Sequence, residues 1–301
     1  MDRPTASAQV VSMRCSACPA ARARGQYLLL AIGITTALVA PLAWAGWRGG
    51  TALVPAWWHA LGALGPAAAA WYVARREDGA EGVHDWRERL FDWRIGAGWW
   101  LIALALPPAL LAVAALTIRV WSGESGAAWQ ASALAERVAT PGWALQALLV
   151  GSLAYGVLEE SGWRGWLYPQ LRMSRGPLAA TLLLWPMWLL WHAPFFLYRF
   201  AATPASLGGF AFGLLFGAIV LSWLVEETGS AAPAMAFHVV NNVVMQVAAV
   251  AAPTALIGMN ILLAVVAAGI VVRWWLVPRR AAVDLADRAR AFVGHPTAVL
   301  R

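Results

Sequence analysis

The sequence predicts an all-α, polytopic transmembrane bundle of about eight spans with its functional site inside the membrane. Three observations carry that expectation. Of the 301 residues only 12% are charged and 61% are hydrophobic, with a mean hydropathy of +0.62, against roughly 25% charged residues in an ordinary soluble domain. The apolar residues recur in blocks about twenty residues long, the length a helix needs to cross a hydrocarbon layer about 30 Å thick. These blocks are continuously apolar and rich in Ala, Leu, Gly and Trp, without the alternating polar face that barrel strands require.

The first span is expected from Tyr27 to Trp47. It follows Arg3, Arg14, Arg22 and Arg24 as a signal peptide would, but the apolar stretch is long enough to span, so it is read as a retained helix. Spans two and three are expected at Thr51–Ala74 and Ala97–Val120. Between them Asp85–Ile95 places Trp86, Leu90 and Trp93 at helical spacing, predicting a helix lying on the membrane surface, with a solvated connector as the alternative. The fourth, Trp143–Leu158, is short, and its helix should continue past Glu159 under the shelter of its neighbours. The remaining spans fall at Pro177–Tyr198, Leu207–Val225, Ser230–Val250 and Thr254–Val277. This gives one transmembrane domain, 27–277, with a core at about 143–250, between tails at 1–26 and 278–301.

The net charge of +7 does not point to nucleic acid. All 22 basic residues are Arg, and they concentrate in connections and tails rather than in a basic domain. Arg-rich and Arg-poor connections alternate, so both termini are expected in the cytoplasm of an integral multi-pass protein of the bacterial plasma membrane. Many of the 20 Trp lie near span ends as interfacial anchors. Cys15 and Cys18 have a spacing that could form half a zinc site, but no second pair exists, and they read as ordinary thiols.

Ionisable side chains at membrane depth cost several kcal/mol on most scales, so each needs a partner or a purpose. They cluster in three places. In Glu159-Glu160-Ser161-Gly162-Trp163-Arg164, residues 160 and 164 share a helix face and can pair. Glu159 points about 100° away, which leaves it available as a general base. His192 follows Trp188 by one turn and precedes Pro194. His238 and Asn242 share another helix face, two donors suited to an oxyanion. Taken singly, each cluster could be structural: an ion-pair network, or polar contacts between helices.

No His-Glu-x-x-His, Gly-x-Ser-x-Gly or Gly-rich phosphate loop occurs, so the standard zincin, serine-hydrolase and nucleotide readings lapse. Zinc held by His192, His238 and Glu159 stays open on ligand chemistry. The expectation is hydrolysis with no required cofactor.

The ordered set Glu-Glu-x-x-x-Arg, aromatic-x-x-x-His and His-x-x-x-Asn, running from about Trp143 to Val250, resembles the CAAX protease and bacteriocin-processing family of intramembrane endopeptidases. Leu64-Gly65-Pro66 and Asp92-Trp93-Arg94 are similar to flanking stretches of that family. The resemblance implies that Glu159 and His192 activate water, that His238 and Asn242 bind the oxyanion, and that Glu160 and Arg164 shape the site. Trp188 departs from the usual Phe and is expected to narrow the cavity without removing a reacting group. The implied partners are the bilayer and a membrane-associated peptide or protein, lipidated or not. A non-catalytic scaffold or bacteriocin self-immunity protein using the same cavity is the alternative, and a proton-coupled transporter is a weaker one.

Overall fold

The computed structural model of the chain describes residues 17–50, 54–122, 130–140, 142, 150–200 and 202–276. No strand occurs among them. The helices are α1 (Ala17–Trp47), α2 (Leu64–Phe91), α3 (Ala97–Ser122), α4 (Ala131–Ala139), α5 (152–172), α6 (Pro177–Trp191), α7 (Pro204–Thr228), α8 (Ala232–Ala251) and α9 (Pro253–Leu276), with 3-10 segments at Ala56–Ala63 and Ala193–Leu197. Six of them, α1, α3, α6 with its 3-10 extension, α7, α8 and α9, are long and apolar enough to cross a membrane. The chain is an integral multi-pass membrane protein.

Among the described residues six spans stand where eight were expected, and the two differences have a physical cause. Thr51–Ala74 is no span: from Ala56 it forms a 3-10 segment and then the start of α2. The rest of α2 carries Arg75, Arg76, Glu77, Asp78, Glu81 and Asp85, too many charges for lipid. Of Trp143–Leu158, residues 143–149 lie outside the described residues, as do Cys15 and the C-terminal tail. The described part enters α5, in which residues 159–168 are all buried. This segment faces protein on every side, so it needs no lipid-compatible surface.

Gly79 bends α2 with φ 66 and ψ −138, a backbone conformation open essentially to glycine. The bend directs the second half of α2 against α5. Trp86 and Leu90 become buried there, while Trp93 lies past the helix end and is exposed. The stretch expected on the membrane surface is therefore a brace for α5. Its own apolar positions found a protein groove in place of lipid.

That brace answers a local need. The winding of α5 alternates between α turns at Ser152–Ala154, Glu160–Gly162 and Tyr168–Arg172 and wider π turns at Tyr155–Glu159 and Trp163–Leu167. Such switches in winding are frequent at functional sites and disturb the regular hydrogen-bond ladder. Three carbonyls on this helix receive outside donors: Trp86 Nε1 donates to Ser161 O at 2.8 Å, Arg89 Nε donates to Gly165 O at 3.2 Å, and Arg24 Nη1 donates to Gln170 O at 3.4 Å. Trp86→Phe keeps the ring and removes one donor from a buried carbonyl. It is expected to cost about 1–3 kcal/mol, read as a lower unfolding midpoint in detergent; an unchanged midpoint would refute the bracing role.

Further contacts fix the helices that carry the site. Arg172 holds Glu226 of α7 with Nε to Oε1 at 2.5 Å and Nη2 to Oε2 at 2.9 Å, and the Tyr168 hydroxyl donates to Oε1 at 2.9 Å. The entry to α8 is tied to the end of α2 by Ala231 N to Arg89 O at 2.8 Å and by Ser230 Oγ to Asp92 O at 2.8 Å. Helix α8 also lies close on α5, because a Cβ at Gly156 would sit 2.6 Å from Val239 N. Glycine there is a packing requirement.

Candidate active site

Glu160 and Arg164 are completely buried on α5. Arg164 Nη1 donates to Glu160 Oε1 at 3.0 Å, the pairing expected from their spacing. The same oxygen accepts from His238 Nδ1 at 2.8 Å. Glu160 therefore ties α5 to α8 through two donors. His238, expected to act with Asn242, has its Nδ1 proton committed to Glu160, so only Nε2 remains for other partners. Asn242 is half-buried one turn further along α8, on the same face as His238.

Glu159, 2% exposed, points elsewhere. Its Oε2 accepts from Trp188 Nε1 at 2.6 Å. The Trp188 ring lies under the Arg164 guanidinium, 4.2 Å from Cζ to the ring centroid, a cation–π geometry. Its centroid is 5.8 Å from each of the His192 and His238 rings. Four of the six sequence-derived residues, Glu159, Arg164, His192 and His238, thus assemble around one indole, and Glu160 joins them through Arg164 and His238.

His192 sits at the junction where α6 ends, rather than within a helix as expected. Pro194 has no N–H to continue the ladder, and the chain tightens into the 3-10 segment Ala193–Leu197. The His192 Nδ1 lies 2.8 Å from Trp188 O. A carbonyl oxygen only accepts, so Nδ1 carries the proton and Nε2 presents its lone pair. Trp191 and Phe210 pack edge-on to the ring at 4.7 and 4.9 Å, which limits its rotation.

Sequence reasoning missed several partners. The indole N–H of Trp188 was visible as a residue type, but its aim at Glu159 depends on how α6 crosses α5. Trp86 was visible in an amphipathic stripe with the wrong destination, and Arg89 in the same stretch was not singled out. A cluster of His59, Tyr155 and Tyr198 had no signal: His59 Nδ1 lies 2.6 Å from the Tyr198 hydroxyl, and the Tyr155 hydroxyl donates to His59 O at 2.8 Å. Burial lowers the His59 imidazole to about 3, so the ring that meets Tyr198 is neutral.

Among the described residues no three His, Cys, Asp or Glu side chains are grouped so as to hold a metal ion. The two imidazoles direct Nδ1 to Glu160 and to a backbone carbonyl.

Residues 141–244 match the family model described as type II CAAX prenyl endopeptidase, Rce1-like. This stretch is Rce1-like. It contains all of α5, α6 and α7 and the part of α8 that bears His238 and Asn242. The Rce1-like stretch therefore includes Glu159, Glu160, Arg164, His192, His238 and Asn242 together. Comparison of the chain with curated proteins gives no match.

Proposed function

We propose that the protein is an intramembrane endopeptidase that hydrolyses a peptide bond in a membrane-associated peptide or protein. The observation that carries this reading is the convergence of Glu159, Arg164, His192 and His238 on Trp188, within the Rce1-like stretch. A set of buried ionisable groups held this tightly is costly unless it has a purpose.

Glu159 accepts a proton from the attacking water, and the lone pair on His192 Nε2 orients that water by accepting its second hydrogen bond. The water oxygen bonds to the scissile carbonyl carbon. Negative charge then develops on the carbonyl oxygen, where His238 Nε2 and the Asn242 carboxamide serve as donors. His238 can donate from Nε2 only as an imidazolium, because Nδ1 already donates to Glu160. That form also balances the buried charges: two carboxylates against Arg164 and His238. When the carbon–nitrogen bond breaks, the proton held by Glu159 passes to the leaving amine. Glu160 and Arg164 hold α5 and α8 in register for these steps.

A substrate bearing a lipidated C-terminal Cys-aliphatic-aliphatic-Xaa motif is the class that the description of the matched family suggests. Both chain termini face the cytoplasm in this reading, in line with the Arg-rich connections. The test compares membrane peptides from cells expressing wild-type protein and Glu159→Gln, which keeps the shape and acceptor of the side chain but removes the base. Uncleaved precursors should accumulate with the variant. Unchanged peptide pools with intact cellular function would refute hydrolysis and identify the cavity as a scaffold's binding site.

A further inference from the structure

Trp188 touches both members of the pair assigned to water activation, through different parts of the residue. Its side chain donates from Nε1 to Glu159 Oε2 at 2.6 Å. Its backbone carbonyl accepts from His192 Nδ1 at 2.8 Å. We infer that Trp188 is a positioning residue for Glu159: its indole N–H occupies one carboxylate oxygen and turns the other toward the attacking water. The inference rests on the hydrolytic reading above and assigns a task to a side chain that the reading did not use.

Three features support it. Trp188 and Glu159 are 3% and 2% exposed, so water does not compete well for the hydrogen bond, and a bond to a charged acceptor is among the stronger kinds. Oε1 of Glu159 makes no hydrogen bond among the described residues, which leaves it as the oxygen available to a proton. The Arg164 guanidinium over the ring face, 4.2 Å from its centroid, draws electron density from the indole and makes its N–H a better donor. Arg164 thereby acts on Glu159 without touching it.

A phenylalanine here would keep the carbonyl contact to His192 and much of the ring packing, and would lose only the donor. The residue type therefore separates the two tasks. The wider indole, expected to narrow the cavity, places a hydrogen bond that no phenyl ring can make.

The test uses full-length protein and three replacements at one position: Trp188→Phe, Trp188→Tyr, and substitution of Trp188 by 3-benzothienylalanine, which copies the indole shape with sulfur in place of N–H. In nitrogen-15 spectra of the protein in detergent, the indole resonance lost in Trp188→Phe should lie downfield and move upfield in Glu159→Gln. A resonance that does not move would show that the hydrogen bond is absent and overturn the inference.

In cells, the precursors that accumulate with Glu159→Gln should also accumulate with Trp188→Phe and with the sulfur isostere. On one such precursor, kcat for the isostere should fall about tenfold or more with KM within about twofold of wild type, the scale of a lost hydrogen bond to a charged group. An isostere with wild-type kcat would overturn the inference, since a purely space-filling Trp188 tolerates sulfur. Recovery in Trp188→Tyr above the level of Trp188→Phe would add support, since a hydroxyl can restore the donor. If Glu159→Gln changes no peptide pool, the hydrolytic reading fails and this inference falls with it. If that variant accumulates precursors and the Trp188 replacements do not, only this inference fails.

Discussion

Glu159→Ala and His192→Ala are each expected to slow cleavage by about 10²- to 10⁴-fold, the usual contribution of a positioned general acid–base group, measured on a precursor isolated from the Glu159→Gln cells. Neither should greatly lower the unfolding midpoint. Among the described residues Glu159 accepts one hydrogen bond, from Trp188 Nε1; its removal frees a neutral donor but also relieves the burial of a carboxylate. Among the described residues His192 hydrogen-bonds to a carbonyl one turn away in the chain, so its loss breaks no hydrogen bond between distant helices. The double variant should be little slower than the worse single one, because both groups act on one water and effects of such groups are not additive. Wild-type turnover in either single variant would remove that residue from the chemistry.

Glu160→Gln should behave in the opposite way, as a stability variant first. The carboxylate is the counter-charge for Arg164, which is completely buried, and it also accepts from His238 on another helix. Removing one partner of a buried ion pair leaves the other charge uncompensated, at about 3–5 kcal/mol. The amide retains one acceptor oxygen but adds N–H donors to a region already rich in them, where Arg164 Nε and Nη2 have no acceptor among the described residues. Thermal unfolding in detergent measures the effect. A midpoint equal to that of wild type would mean that Arg164 is compensated elsewhere and that Glu160 is not the tie between α5 and α8. Adjacent glutamates would thus separate by assay, one losing rate and the other losing stability.

Much of this organisation was legible in the chain. The helical membrane class followed from low charge and long apolar blocks, and the pairing of Glu160 with Arg164 followed from their spacing. The division between the glutamates followed from the roughly 100° between successive helical residues. The ordered motifs marked the stretch that matches the Rce1-like family. The span count was less legible, because hydropathy measures how apolar a segment is and not what covers it. Thr51–Ala74 is apolar enough to suggest a crossing, yet it leads into the charged half of α2. The segment with the strongest claim to chemistry, residues 159–168 of α5, is buried at every position and has no lipid-facing side.

Helix periodicity reports which residues of one segment share a face, and at that level the sequence by itself determined the class of the protein and the charged and histidine residues buried among the described ones. It carries no information about how two distant helices are rotated against each other. Tertiary structure decided that the Trp188 indole meets Glu159, that His238 turns to Glu160, and that Trp86 and Arg89 leave the membrane surface to cap the carbonyls of α5. Each is a hydrogen bond between segments far apart in the chain. Their geometry depends on helix crossing, on the bend at Gly79 and on the alternating winding of α5, which arise only when the whole bundle packs.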